Sequence, residues 1–218
     1  TLSADKRSIA KVDILALENG VGGTAMSTST PVVYNGRAYI GVSGIGQFTA
    51  YSGHNITVID LENWEIAYSV PTQGYPQTSG MLTTAYEQGA GYVYVYFFDN
   101  YTPGKLRILR DKKGQNEANY LTSDTFNDET YRTAYALFTP VKSQAQYAIC
   151  SPITDSDGTI YFKNDSAFLM AFGRSIEKIE VTTMPKKTKY AVGETFHKTG
   201  MVVTATLSDG STRDVTDM

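Results

Sequence analysis

The stretch TPVVYNGRAYIGVSG, Thr30 to Gly44, decides the fold because it returns in altered form as SPITDSDGTIYFKND, Ser151 to Asp165. Each copy places a Ser/Thr-Pro before a short run, then an Asn-Gly or Asp-Gly pair, then a run carrying a tyrosine. Asn-Gly and Asp-Gly accept the positive φ angles that tight β-turns need, so both copies predict antiparallel hairpins. A third run follows each hairpin: NITVIDLEN at Asn55 to Asn63 after the first, SAFLMAF at Ser166 to Phe172 after the other. A diverged copy lies between them, SGMLTTAYEQGAGYVYVYFF at Ser79 to Phe98 followed by GKLRILRDKKG at Gly104 to Gly114. The repeating unit is therefore strand, turn, strand, loop, strand, turn, and a fourth strand such as Trp64 to Val70.

Working outward, IAKVDILALENG at Ile9 to Gly20 reads as the third strand and turn of a unit whose hairpin is missing. The polar stretch Asn116 to Phe138 reads as a loop inserted into the middle copy. Sixteen tyrosines, 9 phenylalanines and 19 glycines in a chain of 218 residues favour strands and tight turns, and no long helical periodicity competes with them. The chain reads as all-β and globular, with 41% hydrophobic and 19% charged residues.

A net charge of −3 gives no electropositive footprint, so nucleic acid is not an expected partner. The cluster Lys186-Lys187-Thr188-Lys189 reads as a solvated turn. No apolar run is long enough to span a bilayer, and membrane insertion is not expected. Cys150 is the only cysteine, which excludes an intrachain disulfide; the run Tyr147-Ala148-Ile149-Cys150 reads as a buried strand with the thiol packed as a small hydrophobe.

Four antiparallel strands repeated every ~40–50 residues are the signature of a propeller blade. Together with VIDLENWEI at Val58 to Ile66 and DILALENG at Asp13 to Gly20, the repeat resembles the quinoprotein-like (PQQ-repeat) β-propellers over residues 9 to 173. The resemblance implies about three blades of an incomplete propeller in residues 1–174, since propellers have about four to eight. From Ser175 the composition changes. Ile179-Glu180-Val181, Pro185 with Tyr190, the turn Val192-Gly193, the run Thr199 to Thr206, the turn Ser208-Asp209-Gly210-Ser211 and Val215-Thr216 resemble the start of a bacterial immunoglobulin-like module of group 3 type. Such sandwiches need roughly seven strands, and residues 175–218 supply only part of one. The chain thus reads as a fragment of something longer, completed by missing blades or by a partner chain.

Candidate chemistry is sparse. His54 and His197 are the only histidines, and neither has a companion at metal-ligand spacing. Val42-Ser43-Gly44-Ile45-Gly46 only approaches a nucleophile elbow. Gly20 to Gly23 and Gly41 to Gly46 do not sit between a strand and a helix, as a phosphate loop requires. Asp155 and Asp157 could offer oxygens to Ca²⁺, but Thr159-Ile160-Tyr161-Phe162 follows with no acid in place, so a turn is the reading and no metal is assigned. The quinone-binding set of the propeller dehydrogenases cannot be placed: Trp64 is the only tryptophan and sits at a structural position of the repeat. No cofactor is expected.

Tyr92, Tyr94 and Tyr96 alternate with Val93, Val95 and Phe97, so the two sets occupy opposite faces of one strand, and both faces are expected to pack between blades. The loop aromatics Phe48, Tyr51, Tyr75, Tyr101 and Tyr131 are the candidates for ligand binding, because loops line the ends of propellers. The reading leans against an enzyme. Together the two resemblances imply an extracellular or cell-wall-associated bacterial scaffold, of the kind frequent in Gram-positive species, binding a glycan, peptide or protein. The alternative is a quinoprotein-type oxidoreductase, or another propeller enzyme, whose active-site residues lie in a missing N-terminal part.

Overall fold

The computed structural model describes residues 2–23, 25–44, 53–84, 89–117, 127–128, 133–156, 158–208 and 210–217. Among these residues the fold is all-β, in four small antiparallel sheets, with one 3-10 turn at Lys142–Gln144. The first sheet is a meander of β1 (Val32–Tyr34), β2 (Arg37–Val42), β3 (Asn55–Asp60) and β4 (Glu65–Pro71). Asn35 at φ 46° and Gly36 at φ 76° form the predicted tight turn, and Tyr34 pairs with Arg37 across it. The β3–β4 turn is fixed by Asp60, whose Oδ1 accepts the backbone N–H groups of Glu62 and Asn63.

β5 (Met81–Thr83), β6 (Val93–Phe98), β7 (Leu106–Asp111), β8 (Asn127–Asp128) and β9 (Thr133–Phe138) form the second sheet, in the order β5-β6-β7-β9-β8. This corrects the expectation of a simple loop from Asn116 to Phe138. The end of that segment is the fourth strand, pairing with β7 from Leu106↔Phe138 to Ile108↔Tyr135, and β8 extends the edge. β10 (Ile153–Thr154), β11 (Ile160–Lys163) and β12 (Leu169–Phe172) form a third sheet.

The core lies between the first two sheets. Tyr39, Ile56, Val58, Tyr68 and Val70 of the first meet Val93, Val95, Phe97 and Leu109 of the second. The opposite face of β6 carries Tyr94, Tyr96 and Phe98, all buried. Phe98 stacks on Phe162 of β11 with centroids 4.0 Å apart. β6 is thus covered on both faces, as its unbroken Val/Tyr/Phe run requires. Full burial of each large apolar side chain contributes roughly 1.5–3 kcal/mol, which makes β6 the strand on which this packing depends.

Two sequence expectations fail here. Residues 10–17 belong to no strand, and Val12 and Ile14 are exposed. Apolar alternation specifies a strand only where a neighbour takes its backbone hydrogen bonds, and the pattern by itself supplies none. Cys150 is partly exposed and lies outside any strand. The chain turns there after Ala148, whose methyl would lie 2.6 Å from a side chain at Gly104.

The chain divides into two compact units, Thr1–Thr154 with Tyr161–Met170, and Asp155–Ile160 with Ala171–Met218. The second contains β13 (Ile176–Thr183), β14 (Val202–Leu207) and β15 (Thr212–Asp214) as an antiparallel sheet in that order. Every residue of β13 is exposed, and Ala205 on β14 is buried. Beside this sheet Met184, Pro185, Tyr190, Phe196 and Met201 line an open apolar groove. The Tyr190 hydroxyl ties the groove wall together, accepting from the N–H of His197 at 3.1 Å and reaching the carbonyl of Lys187 at 3.0 Å.

Candidate functional site

The antiparallel registers bring the β2–β3, β4–β5 and β6–β7 connections to one end of the first two sheets. Val42 pairs with Asn55, Asn55 with Pro71, and Phe98 with Leu106. Tyr75 and Tyr101, two of the expected ligand-binding aromatics, lie in neighbouring connections at this end. Asn100 N–H donates to the Tyr75 carbonyl at 2.8 Å, and a side chain at Gly74 would meet Tyr101 Cβ at 2.7 Å. Tyr75 itself is 3% exposed. Its hydroxyl accepts from the Thr28 N–H and its ring stacks on His54 at 6.1 Å, so it braces the loops from within. Tyr101 is half-buried. Phe48, Tyr51 and Tyr131 lie outside the described residues.

The same end is held by buried polar contacts. His54 Nδ1 accepts the Gly44 N–H at 2.7 Å, which ties its ring to the β2–β3 connection. Ser43 is buried, with its Oγ accepting the Met26 N–H at 3.2 Å. Asp99 and Arg107 form a buried ion pair at 2.6 Å, and the second Asp99 oxygen accepts the Lys105 N–H at 2.8 Å, closing the loop that carries Tyr101. These contacts serve to shape loops.

At the opposite end, Asp111 closes β7 against Arg37, which opens β2. Each Asp111 oxygen receives one guanidinium N–H, from Arg37 Nε at 3.2 Å and a terminal nitrogen at 3.3 Å, and one phenol O–H at 2.7 Å, from Tyr39 and Tyr68 respectively. Arg37 also donates to the Gln115 carbonyl. Burial first, then the Asp111 charge, pushes both phenols far above their ordinary range, so they remain protonated donors. The pattern missed in the sequence is a buried charge at the first position of one hairpin answered from the last position of the next. An arginine directly after a turn glycine was the available signal.

On the other face of β7, Arg110 and Lys112 approach the Tyr92 ring at 4.5 and 4.9 Å. Arg110 Nε is buried and meets no acceptor among the described residues.

Asp155 acts as a turn residue. Its Oδ1 accepts the Thr159 N–H at 3.0 Å, its carbonyl accepts the Gly158 N–H at 3.2 Å, and Gly158 has φ 82°. Asp157 lies outside the described residues. Among the described residues no three His, Cys, Asp or Glu side chains gather at metal-binding distance, and no helix is long and apolar enough to cross a membrane.

Residues 183–218 match the bacterial Ig-like domain (group 3), so this part of the chain is similar to such domains. Over 151 residues the chain is 27% identical to pectate lyase L of Thermoclostridium stercorarium. That match takes in 67% of this chain but only 11% of the lyase, so the chain spans about a tenth of that relative's length.

Proposed function

We propose that the chain is a non-catalytic binding scaffold at a bacterial surface, in which blade-like sheets present their connecting loops to a glycan and the Ig-like strands act as a spacer. The observation that carries this reading is the pairing of an Ig-like segment with likeness to a small fraction of a much longer polysaccharide lyase. A stretch that small suits an accessory part of such a protein. Face-to-face packing of consecutive antiparallel sheets, through Tyr39 and Val58 on one and Val95 and Phe97 on the next, supports reading them as propeller blades of the quinoprotein-like type. The buried polar groups at the loop end support binding over catalysis, since Asp99, Arg107, His54 and Ser43 are engaged in holding loops.

The likeness to a pectate lyase favours a second reading, in which the chain itself cleaves a polysaccharide. Affinity electrophoresis of the chain through gels containing pectate, methyl-esterified pectin or a neutral β-glucan separates the two. Retardation by a glycan, without the ultraviolet-absorbing unsaturated ends that a lyase leaves, is the expected result. Release of such ends by the chain alone supports the enzyme, and free migration through every gel overturns the glycan-binding reading.

A further inference from the structure

We propose that Arg110, Lys112 and Tyr92 form a carboxylate-binding site for an acidic polysaccharide, a chain of uronate residues. The inference rests on the glycan-binding reading above and names the class of glycan and the place where it is held.

Three observations converge on this cluster. Arg110 is the penultimate residue of β7 and Lys112 directly follows the strand's last residue, Asp111; their spacing of two continues the strand alternation and both approach the Tyr92 ring. Arg110 projects to the face opposite the one on which Asp111 meets Arg37. Both cations approach one ring, Arg110 at 4.5 Å and Lys112 at 4.9 Å from the Tyr92 centroid, so two like charges converge on a single aromatic. In a chain of net charge −3 the usual answer to such a pair is a nearby Asp or Glu. Asp111 answers Arg37, Asp99 answers Arg107 and Glu62 answers Lys113, yet among the described residues no carboxylate pairs with Arg110 or Lys112.

The third observation is the unmet donor. Arg110 Nε is enclosed and finds no hydrogen-bond acceptor among the described residues. A buried N–H left this way is uncommon and costly, and an unplaced anion is one of its standard causes. The Arg110 side chain as a whole is half-buried, and a carboxylate that reaches it suits the guanidinium by geometry, because its two oxygens match the guanidinium fork. Tyr92 acts as a positioning residue: both cations lie within 4.9 Å of its ring centre, so an acidic chain that reaches the ring meets both.

Uronate chains supply carboxylates at regular intervals on a neutral sugar backbone, and methyl esterification removes the charge while leaving the sugar in place. The test uses that difference. Retardation of the chain by pectate is compared with retardation by fully methyl-esterified pectin, at fixed ionic strength, for the parent and for Arg110→Gln, Lys112→Gln, Tyr92→Leu and Tyr92→Phe. Loss of one charge-assisted contact weakens binding about tenfold, so Arg110→Gln and Lys112→Gln should each lower pectate affinity by about that factor. Tyr92→Leu should weaken it, and Tyr92→Phe, which keeps the ring, should retain it. Lys189→Gln, on the second unit, serves as the control and should change nothing.

Circular dichroism establishes that each variant folds, and Lys112→Gln, at an exposed position, carries the test if Arg110→Gln does not fold. Pectate retardation unaffected by both charge variants overturns the site while leaving glycan binding standing. Equal retardation by pectate and its ester overturns the uronate class. Displacement of pectate by inorganic phosphate, with chloride of the same ionic strength ineffective, reassigns the site to phosphate and overturns the proposal. Retardation by no polysaccharide removes the glycan-binding reading and the site with it.

Discussion

Arg37 and Asp111 join the first sheet to the second through a buried, forked ion pair, with Asp111 Oδ2 3.2 Å from Arg37 Nε. The two residues are 74 positions apart and both are almost wholly excluded from solvent, so the contact fixes how one hairpin packs on the next. Its strength comes from completeness. The carboxylate also takes the Tyr39 and Tyr68 hydroxyls, leaving no oxygen lone pair facing an apolar wall.

Removing one member of that set should therefore cost more than the pair is worth as a pair. Asp111→Asn leaves the Arg37 guanidinium buried with only the Asp60 carboxylate, 3.7 Å away, and the Gln115 carbonyl. Breaking a buried pair from one side costs about 3–5 kcal/mol. Urea unfolding of Asp111→Asn should show a loss in that range. In a cycle with Arg37→Met the double variant should lose less than the sum of the singles, because the stranded charge is gone. Strict additivity would show that the two side chains do not act as a unit.

The phenols of the same cluster give a pH signature. Tyr39 and Tyr68 have their ionisation pushed up, by burial first and by the Asp111 charge next. In the unfolded chain they titrate near the ordinary value of about 10. A folded-state pKa raised above the unfolded one contributes stability that is complete below pH ~10 and is lost as the pH rises beyond it, because only the unfolded chain releases the protons. Ultraviolet titration should show a class of tyrosines that ionises only together with loss of structure. Tyr68→Phe should shrink that class, and smooth titration of every tyrosine in the intact fold would refute the assignment.

The strands were legible where a turn announces them, and less so where pairing is distant. Asn35-Gly36 and Asp155 to Gly158 mark their hairpins because positive φ is a local demand that few residues meet. The run TAYALF of β9 has no such punctuation, and its partner β7 lies across a polar stretch with little apolar pattern, so it read as loop. Ile9 to Leu17 erred the other way, with strand alternation and no strand formed. Of the loop aromatics, Tyr75 and Tyr101 lie in connections, but a tyrosine's type does not say whether its ring faces outward, and Tyr75 turns inward to Thr28 and His54. The convergence of Tyr92, Arg110 and Lys112 needed the β6–β7 register to bring it into view.

Two glycines of the first hairpin separate conformational from steric demand. Gly36 has φ 76° with only the Glu62 side chain near, at 3.7 Å, so Gly36→Ala meets a backbone penalty of about 1–2 kcal/mol and little else. Gly41 shows no positive φ, but a Cβ there would lie 1.7 Å from the Pro76 carbonyl oxygen, which is backbone and cannot swing aside. Gly41→Ala should therefore destabilise by about 3 kcal/mol or more, through overpacking of β2 against the β4–β5 connection. Thermal unfolding of the two variants should rank Gly41→Ala as the more damaging. The reverse order would mean that this connection yields easily.

The turn of the later hairpin can be separated from a calcium loop by stability. Asp155 uses Oδ1 to accept the Thr159 N–H, and its carbonyl accepts the Gly158 N–H, which is the work of a turn residue. A ligand bound only by the folded state raises the unfolding midpoint, by an amount that grows with the logarithm of its concentration once that exceeds the Kd. Calcium should leave the midpoint of the parent chain in place, and chelator should do the same. Asp155→Ala should lower the midpoint by the loss of a single turn hydrogen bond, about 0.5–1.5 kcal/mol, equally with and without calcium. An upward shift on calcium addition that Asp155→Ala abolishes would instead make this carboxylate a cation ligand and reopen the reading of the hairpin as a functional loop.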